Sequence, residues 1–165
     1  MTEKNCDYVE ELNKNGVIAF VPKGNSMWPT LKNGKQSVIV KKKTEKLRAM
    51  DVALYRRENG SNILHRVIKP TEYGYIMCGD SQFMFEKVNE ENVYGVMMGF
   101  YKGKRYVDVK NAEYIEKVKK WYRRGKLRKF CVKTFYFFEN LKSLPKRAWR
   151  KLFGKKRKEQ GDSND

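Results

Sequence analysis

The chain has 165 residues, room for one domain and an appendage, and a formal net charge of +18. Residues 1–101 hold 15 basic and 12 acidic side chains, whereas residues 102–158 hold 22 basic and 4 acidic, so a nearly neutral head carries a cationic tail. Cys6, Cys78 and Cys131 are far apart and lack metal-ligand spacing, which argues against a disulfide framework or a zinc site and for a reducing compartment.

In chain order, the polar, partly acidic opening MTEKNCDYVEELNKNG does not read as a secretory signal. Within it, Asp7 to Leu12 predicts one short amphipathic helix, stopped by Asn15-Gly16, so residues 1–15 form a helical lead-in. Residues 16–110 then carry β-branched and aromatic runs at 17–21, 37–41, 52–56, 62–68, 74–78, 93–101 and 105–109. Gly, Asn or Asp punctuates most of the gaps, which predicts a mainly β, mostly antiparallel barrel or folded sheet. Past residue 110 the pattern turns to strong helix formers. Helices are expected at 112–124, 127–141 and 145–153, making 111–158 a basic α-helical extension, with a disordered end at 159–165. No window approaches the roughly 18 apolar residues of a spanning helix.

Four short segments carry the chemistry. Ser26-Met27-Trp28-Pro29-Thr30-Leu31 follows Gly24-Asn25, placing a small hydroxyl between flexible and stiff residues. Asp51-Val52-Ala53-Leu54-Tyr55 lies in a β run. His65, the only histidine, sits in the strand His65-Arg66-Val67-Ile68 and shares a face with Ile63 and Val67. Cys78-Gly79-Asp80-Ser81 closes the next strand. Taken singly, these read as a turn serine, a half-buried structural histidine and an ordinary Gly-Asp turn.

Taken in order, the four segments resemble the type I signal peptidase family, across residues 22–101. The wider group includes the self-cleaving repressor peptidases, which share a mixed β fold. Bacterial signal peptidases and repressor peptidases look like serine–lysine enzymes. His65 stands at the matching place here, as in the archaeal and endoplasmic-reticulum type. The resemblance therefore implies a serine endopeptidase that cleaves leader or signal segments from peptide or protein precursors. Ser26 would be the nucleophile and His65 the general base, without metal or cofactor. A histidine suits that role because it titrates near neutral pH, whereas a lysine must first be desolvated.

For the third member, Asp80 and Glu86 are both candidates. Asp80 is favoured because it directly ends a strand, while Glu86 would have to be delivered by a Phe83-Met84-Phe85 loop. Relatives often carry a serine donor two residues before the nucleophile. Gly24 stands there in this chain, leaving the Ser26 amide, helped by Asn25, as the oxyanion site. Met27 and Trp28 would form the apolar wall of the substrate groove or attach the loop to the sheet, and Pro29 would fix the approach. An extended peptide would dock as an added strand beside residues 17–21, its small side chains in shallow pockets.

The tail interleaves Phe130, Phe135, Tyr136, Phe137, Phe138, Trp149 and Phe153 with lysine and arginine. This composition suits an interfacial helix on anionic lipid better than nucleic acid, whose phosphates need no aromatic cluster. A protein partner is the other alternative. The expected location is cytoplasmic, peripheral on the inner face of the cell membrane. The main alternative function is a non-catalytic peptide-binding or polyanion-binding adaptor on the same fold.

Overall fold

The computed structural model describes residues 8–142. It divides into two compact units, Met1–Arg123 and Arg124–Asp165. The expected helix at 145–153 and the expected disordered end lie outside the described residues.

The first unit opens with α1 (Tyr8–Asn15), which buries Leu12 and stops before Gly16. Eight strands follow: β1 (Val17–Phe20), β2 (Ser37–Lys42), β3 (Val52–Arg56), β4 (Asn62–Pro70), β5 (Gly74–Cys78), β6 (Glu86–Asn89), β7 (Val93–Lys102) and β8 (Arg105–Asp108). All pair antiparallel, in the order β1-β2-β7-β3-β4-β5-β6, with β8 added to β7. The chain is thus mainly β, as its run pattern predicts. α2 (Ala112–Arg123) completes this unit.

β3 is central, and its residues alternate between two cores as a period of two requires. Val52 and Leu54 join a cluster with Leu12, Ile18, Met27 and Leu31, whereas Ala53 and Tyr55 join Val67, Tyr75 and Met77 on the opposite face. Each face is closed by apolar side chains, so four successive residues of β3 are buried.

Two findings depart from the sequence expectations. The first is β6, four residues read as part of a loop. Its sequence EKVN has one apolar side chain and lies at the sheet edge, so neither composition nor periodicity announces it. The second is the boundary of the tail. The compact unit ends at Arg123, thirteen residues beyond the expected 110, because α2 buries Val118 and bonds to the end of β5 through Trp121 and Tyr122.

In the second unit, α3 (Gly125–Lys142) is the described element. Leu127, Phe130, Phe137 and Phe138 are exposed, and at 100° per residue they fall on one side of the helix.

Candidate active site

Three segments meet at the C-terminal end of β5. The loop 24–31 crosses there by way of a cis Trp28–Pro29 bond. It is fastened by backbone and side chain together. The Ser81 amide donates to the Ser26 carbonyl at 2.9 Å, and Ser81 Oγ donates to the Asn25 carbonyl at 2.8 Å and the Ser26 carbonyl at 3.1 Å. Gly79 explains its own identity. A Cβ there would lie 2.6 Å from the Ser26 carbonyl oxygen, so only glycine admits so close an approach.

That contact also places Ser26 relative to His65. β4 and β5 pair as Val67↔Met77 and Arg66↔Cys78, so one further step sets Gly79 beside His65 on the same face. The segment carrying Ser26 therefore reaches the end of β5 near the part of β4 that bears His65. Ser26 Oγ and His65 make no direct hydrogen bond, and the Ser26 amide is unpaired among the described residues. Hydrogen bonds between catalytic groups often tighten only when substrate binds.

His65 is 2% exposed. Its Nδ1 lies 2.7 Å from Glu86 Oε1 and 3.1 Å from the Tyr55 hydroxyl. Tyr55 also donates a short hydrogen bond to Glu86 Oε1, and Arg57 forks the same carboxylate through Nε at 2.9 Å and Nη2 at 3.0 Å. Burial alone would raise the Glu86 pKa, but hydrogen bonds from Arg57, Tyr55 and His65 hold it below the usual carboxylate range. An ionised carboxylate only accepts, so Nδ1 must carry the proton and Nε2 is left as the basic nitrogen. Among the described residues no fully buried side-chain nitrogen or oxygen lacks a partner, and Nε2 has none, so Nε2 reaches accessible surface. Burial lowers the His65 pKa, with Glu86 partly offsetting the effect, so the imidazole is neutral at pH 7.

Asp80 has a different environment and does not touch His65. It is fully buried and forked by Arg66, with Nε to Oδ1 and Nη2 to Oδ2 both at 2.7 Å. Thr30 Oγ1 donates a short bond to Oδ2, the Tyr122 hydroxyl donates to Oδ1 at 2.9 Å, and Trp121 Nε1 donates to the Asp80 carbonyl at 2.8 Å. Burial would raise the Asp80 pKa, but Arg66, Thr30 and Tyr122 hold it below the usual range. The preference for Asp80 as the group orienting His65 is thus corrected: Glu86 holds that place. The reason for the preference also fails, since Glu86 is the first residue of β6 and is paired with Met77 rather than carried on a loop.

A cavity of about 520 Å³ opens beside Ser26, with Phe20, Val21 and Gly24 at its sides and Leu54 and Leu64 below. β1 borders it and is an end strand of the sheet among the described residues. Met27 lines this cavity and, at 5% exposed, also ties the loop to the core. Trp28 is half-buried, edge-on to Trp121 with ring centroids 5.7 Å apart. Pro29 is exposed and Asn25 half-buried. Gly24 has a φ of +96° and its amide donates to Asn33 Oδ1 at 2.9 Å, so a serine there would be strained in this backbone.

Sequence reasoning named Ser26, His65 and Glu86 but gave no role to Tyr55, Arg57, Arg66, Trp121 or Tyr122. Tyr55 and Arg66 lie inside the four segments, so a signal was present. Trp121 and Tyr122 lie among lysines and arginines, where nothing in the pattern marks two inward-facing donors. No group of metal-ligating side chains is found among the described residues, and none of the helices described is long and apolar enough to cross a membrane. No protein-family model matches the chain, and no curated protein matches it at a significant level.

Proposed function

We propose that this chain is a serine endopeptidase of the signal-peptidase type, removing leader or signal segments from peptide or protein precursors. The observation that carries the reading is the 2.7 Å contact of Glu86 with His65 Nδ1. Such a carboxylate fixes the imidazole in the tautomer a general base needs and stabilises the imidazolium as it forms. An antiparallel mainly β sheet and four segments in family order support the finer assignment to the signal-peptidase and repressor-peptidase fold.

In this mechanism Ser26 Oγ attacks the peptide carbonyl carbon while His65 Nε2 takes its proton. The oxyanion is met by the unpaired Ser26 amide. Imidazolium then protonates the leaving amine as the C–N bond breaks, leaving an acyl ester on Ser26. Water, deprotonated by the same nitrogen, hydrolyses the ester and restores the hydroxyl. The peptide would lie along the outer edge of β1, its side chains entering the cavity beside Ser26.

The exposed apolar side of α3, flanked by lysine and arginine, supports an anionic membrane surface as the tail's partner, ahead of nucleic acid. A peripheral position on the cytoplasmic face follows from that reading. A second reading, a non-catalytic peptide-binding adaptor, is favoured by the missing Ser26–His65 hydrogen bond.

Digestion of a proteome-derived peptide library, with new termini read by mass spectrometry, separates the two. Cleavage by wild type that vanishes in Ser26→Ala and His65→Ala supports the peptidase. A library bound but not cut by folded wild type supports the adaptor.

A further inference from the structure

The head carries a second feature that peptide cleavage does not use. A cavity of about 460 Å³ lies between the β2–β3 connection, the middle of β7 and the first turns of α2. Seven basic and two acidic residues line it. Five of the seven come from residues 41–48, a segment with a single acidic residue, Glu45; Lys110 and Lys119 face them from the α2 side. That segment has a net charge of +4, against +3 for the whole of residues 1–101, so the rest of the head is net −1. The cation excess of the head is therefore gathered at one cavity.

Internal pairing does not neutralise it. Glu90 takes Lys43 at 2.9 Å and Lys46 at 3.5 Å, but Lys41, Lys42, Arg48 and Lys110 pair with no carboxylate among the described residues. The carboxylate of Asp51 accepts the Arg48 amide at 2.7 Å. Ordinarily such lysines would spread apart in water. Here the backbone that bears them is pinned. The Lys43 amide donates to the Tyr94 carbonyl at 2.8 Å, and Leu47 is buried with its amide on the Tyr75 hydroxyl at 3.2 Å. Met50 is held at a φ of +80°, a rare conformation for a side-chain-bearing residue, with its carbonyl accepting from buried Arg66 Nη1 at 2.8 Å. Like charges on a fixed frame around a concavity raise the local positive potential and attract a multivalent anion.

We propose that this cavity is a binding site for a phosphate-bearing anion, either the headgroup of an anionic phospholipid or a free condensed phosphate. The site is independent of the peptidase reading, since neither Ser26 nor His65 lines it.

The test uses the full chain. Titration with pyrophosphate, followed calorimetrically, compares wild type with Lys42→Gln/Lys110→Gln and with a control that loses equal charge in α3, Lys126→Gln/Lys129→Gln. All four positions are exposed, so circular dichroism should show each variant folded. The expected result is affinity weakened about thirtyfold in the cavity variant, as for two charges each contributing about 1 kcal/mol, and little changed in the control. Sedimentation with phosphatidylglycerol–phosphatidylcholine vesicles distinguishes the sources. Weaker vesicle binding by the cavity variant, with pyrophosphate competing in wild type, identifies the headgroup; unchanged vesicle binding identifies the free phosphate. Equal pyrophosphate affinity in the cavity and α3 variants, or no binding by wild type at millimolar concentration, would overturn the proposal.

Discussion

Neutralising residue 86 and neutralising residue 80 should have opposite consequences. Glu86→Gln leaves the Asp80 cluster intact and replaces the acceptor-only carboxylate that fixes Nδ1–H with an amide that can also donate and so favour the wrong tautomer. Activity should fall by about 10³–10⁴, as when the aspartate of a serine triad becomes asparagine, with thermal unfolding little moved. Asp80→Asn instead strands the fully buried Arg66 guanidinium. Breaking such a pair costs about 3–5 kcal/mol, so the melting temperature should drop sharply. Calorimetric melting and peptide-cleavage rates on both variants check the pair. A second expectation concerns pH. Because burial lowers the His65 pKa below its ordinary 6.5, the base remains neutral under mildly acidic conditions. The acid limb of kcat/KM should therefore fall below pH 6.5. The same shift has a stability sign: His65 contributes fully above the unfolded pKa, and its contribution is lost as pH falls through the lower folded value. At this scale Ser26 and His65 were legible because their residue types occur in order along the chain. The role of Glu86 was not, because it depends on a cross-strand neighbour, and two carboxylates six residues apart look equivalent in one dimension.

Among the elements, β6 and α2 decide what the chemistry needs. β6 is short, charged and at an edge, yet its pairing with β5 is what brings Glu86 to His65. α2 reads as part of the cationic tail, with Lys117, Lys119, Lys120 and Arg123 on its surface. Its other side supplies Tyr114, Trp121 and Tyr122 to Arg66 and Asp80. Lysine-rich composition hides that inner side, since three aromatic hydrogen-bonding partners among so many cations give little periodic signal. Two truncations separate the views. Ending the chain after Lys110 should unfold or inactivate the head, because three hydrogen bonds to the buried pair are lost at about 1 kcal/mol each, along with the apolar contacts of α2. Ending it after Arg124 should leave cleavage of a soluble peptide within about twofold of wild type, since Ser26, His65 and Glu86 all belong to the first unit. The long strands were legible from alternation and β-branched content, and their register was not, since it is fixed by which faces the two cores bury.

For the molecule as a whole, charge and apolar exposure are arranged rather than spread. The head keeps its net charge low apart from the cavity under residues 41–48, while the tail combines cations with an exposed row of Leu127, Phe130, Phe137 and Phe138. If that row enters an anionic bilayer, Phe130→Ser/Phe137→Ser should weaken vesicle sedimentation at least tenfold at unchanged net charge, since each buried aromatic contributes about 1.5–3 kcal/mol. Equal sedimentation would leave only charge attraction. The most direct measurement of the central assignment is kcat/KM on the best peptide from the library, for wild type, Ser26→Ala and His65→Ala under one condition. The expected result is a loss of about 10⁴–10⁶ in each variant, as nucleophile and base act as a unit. Equal cleavage by all three folded proteins would contradict it.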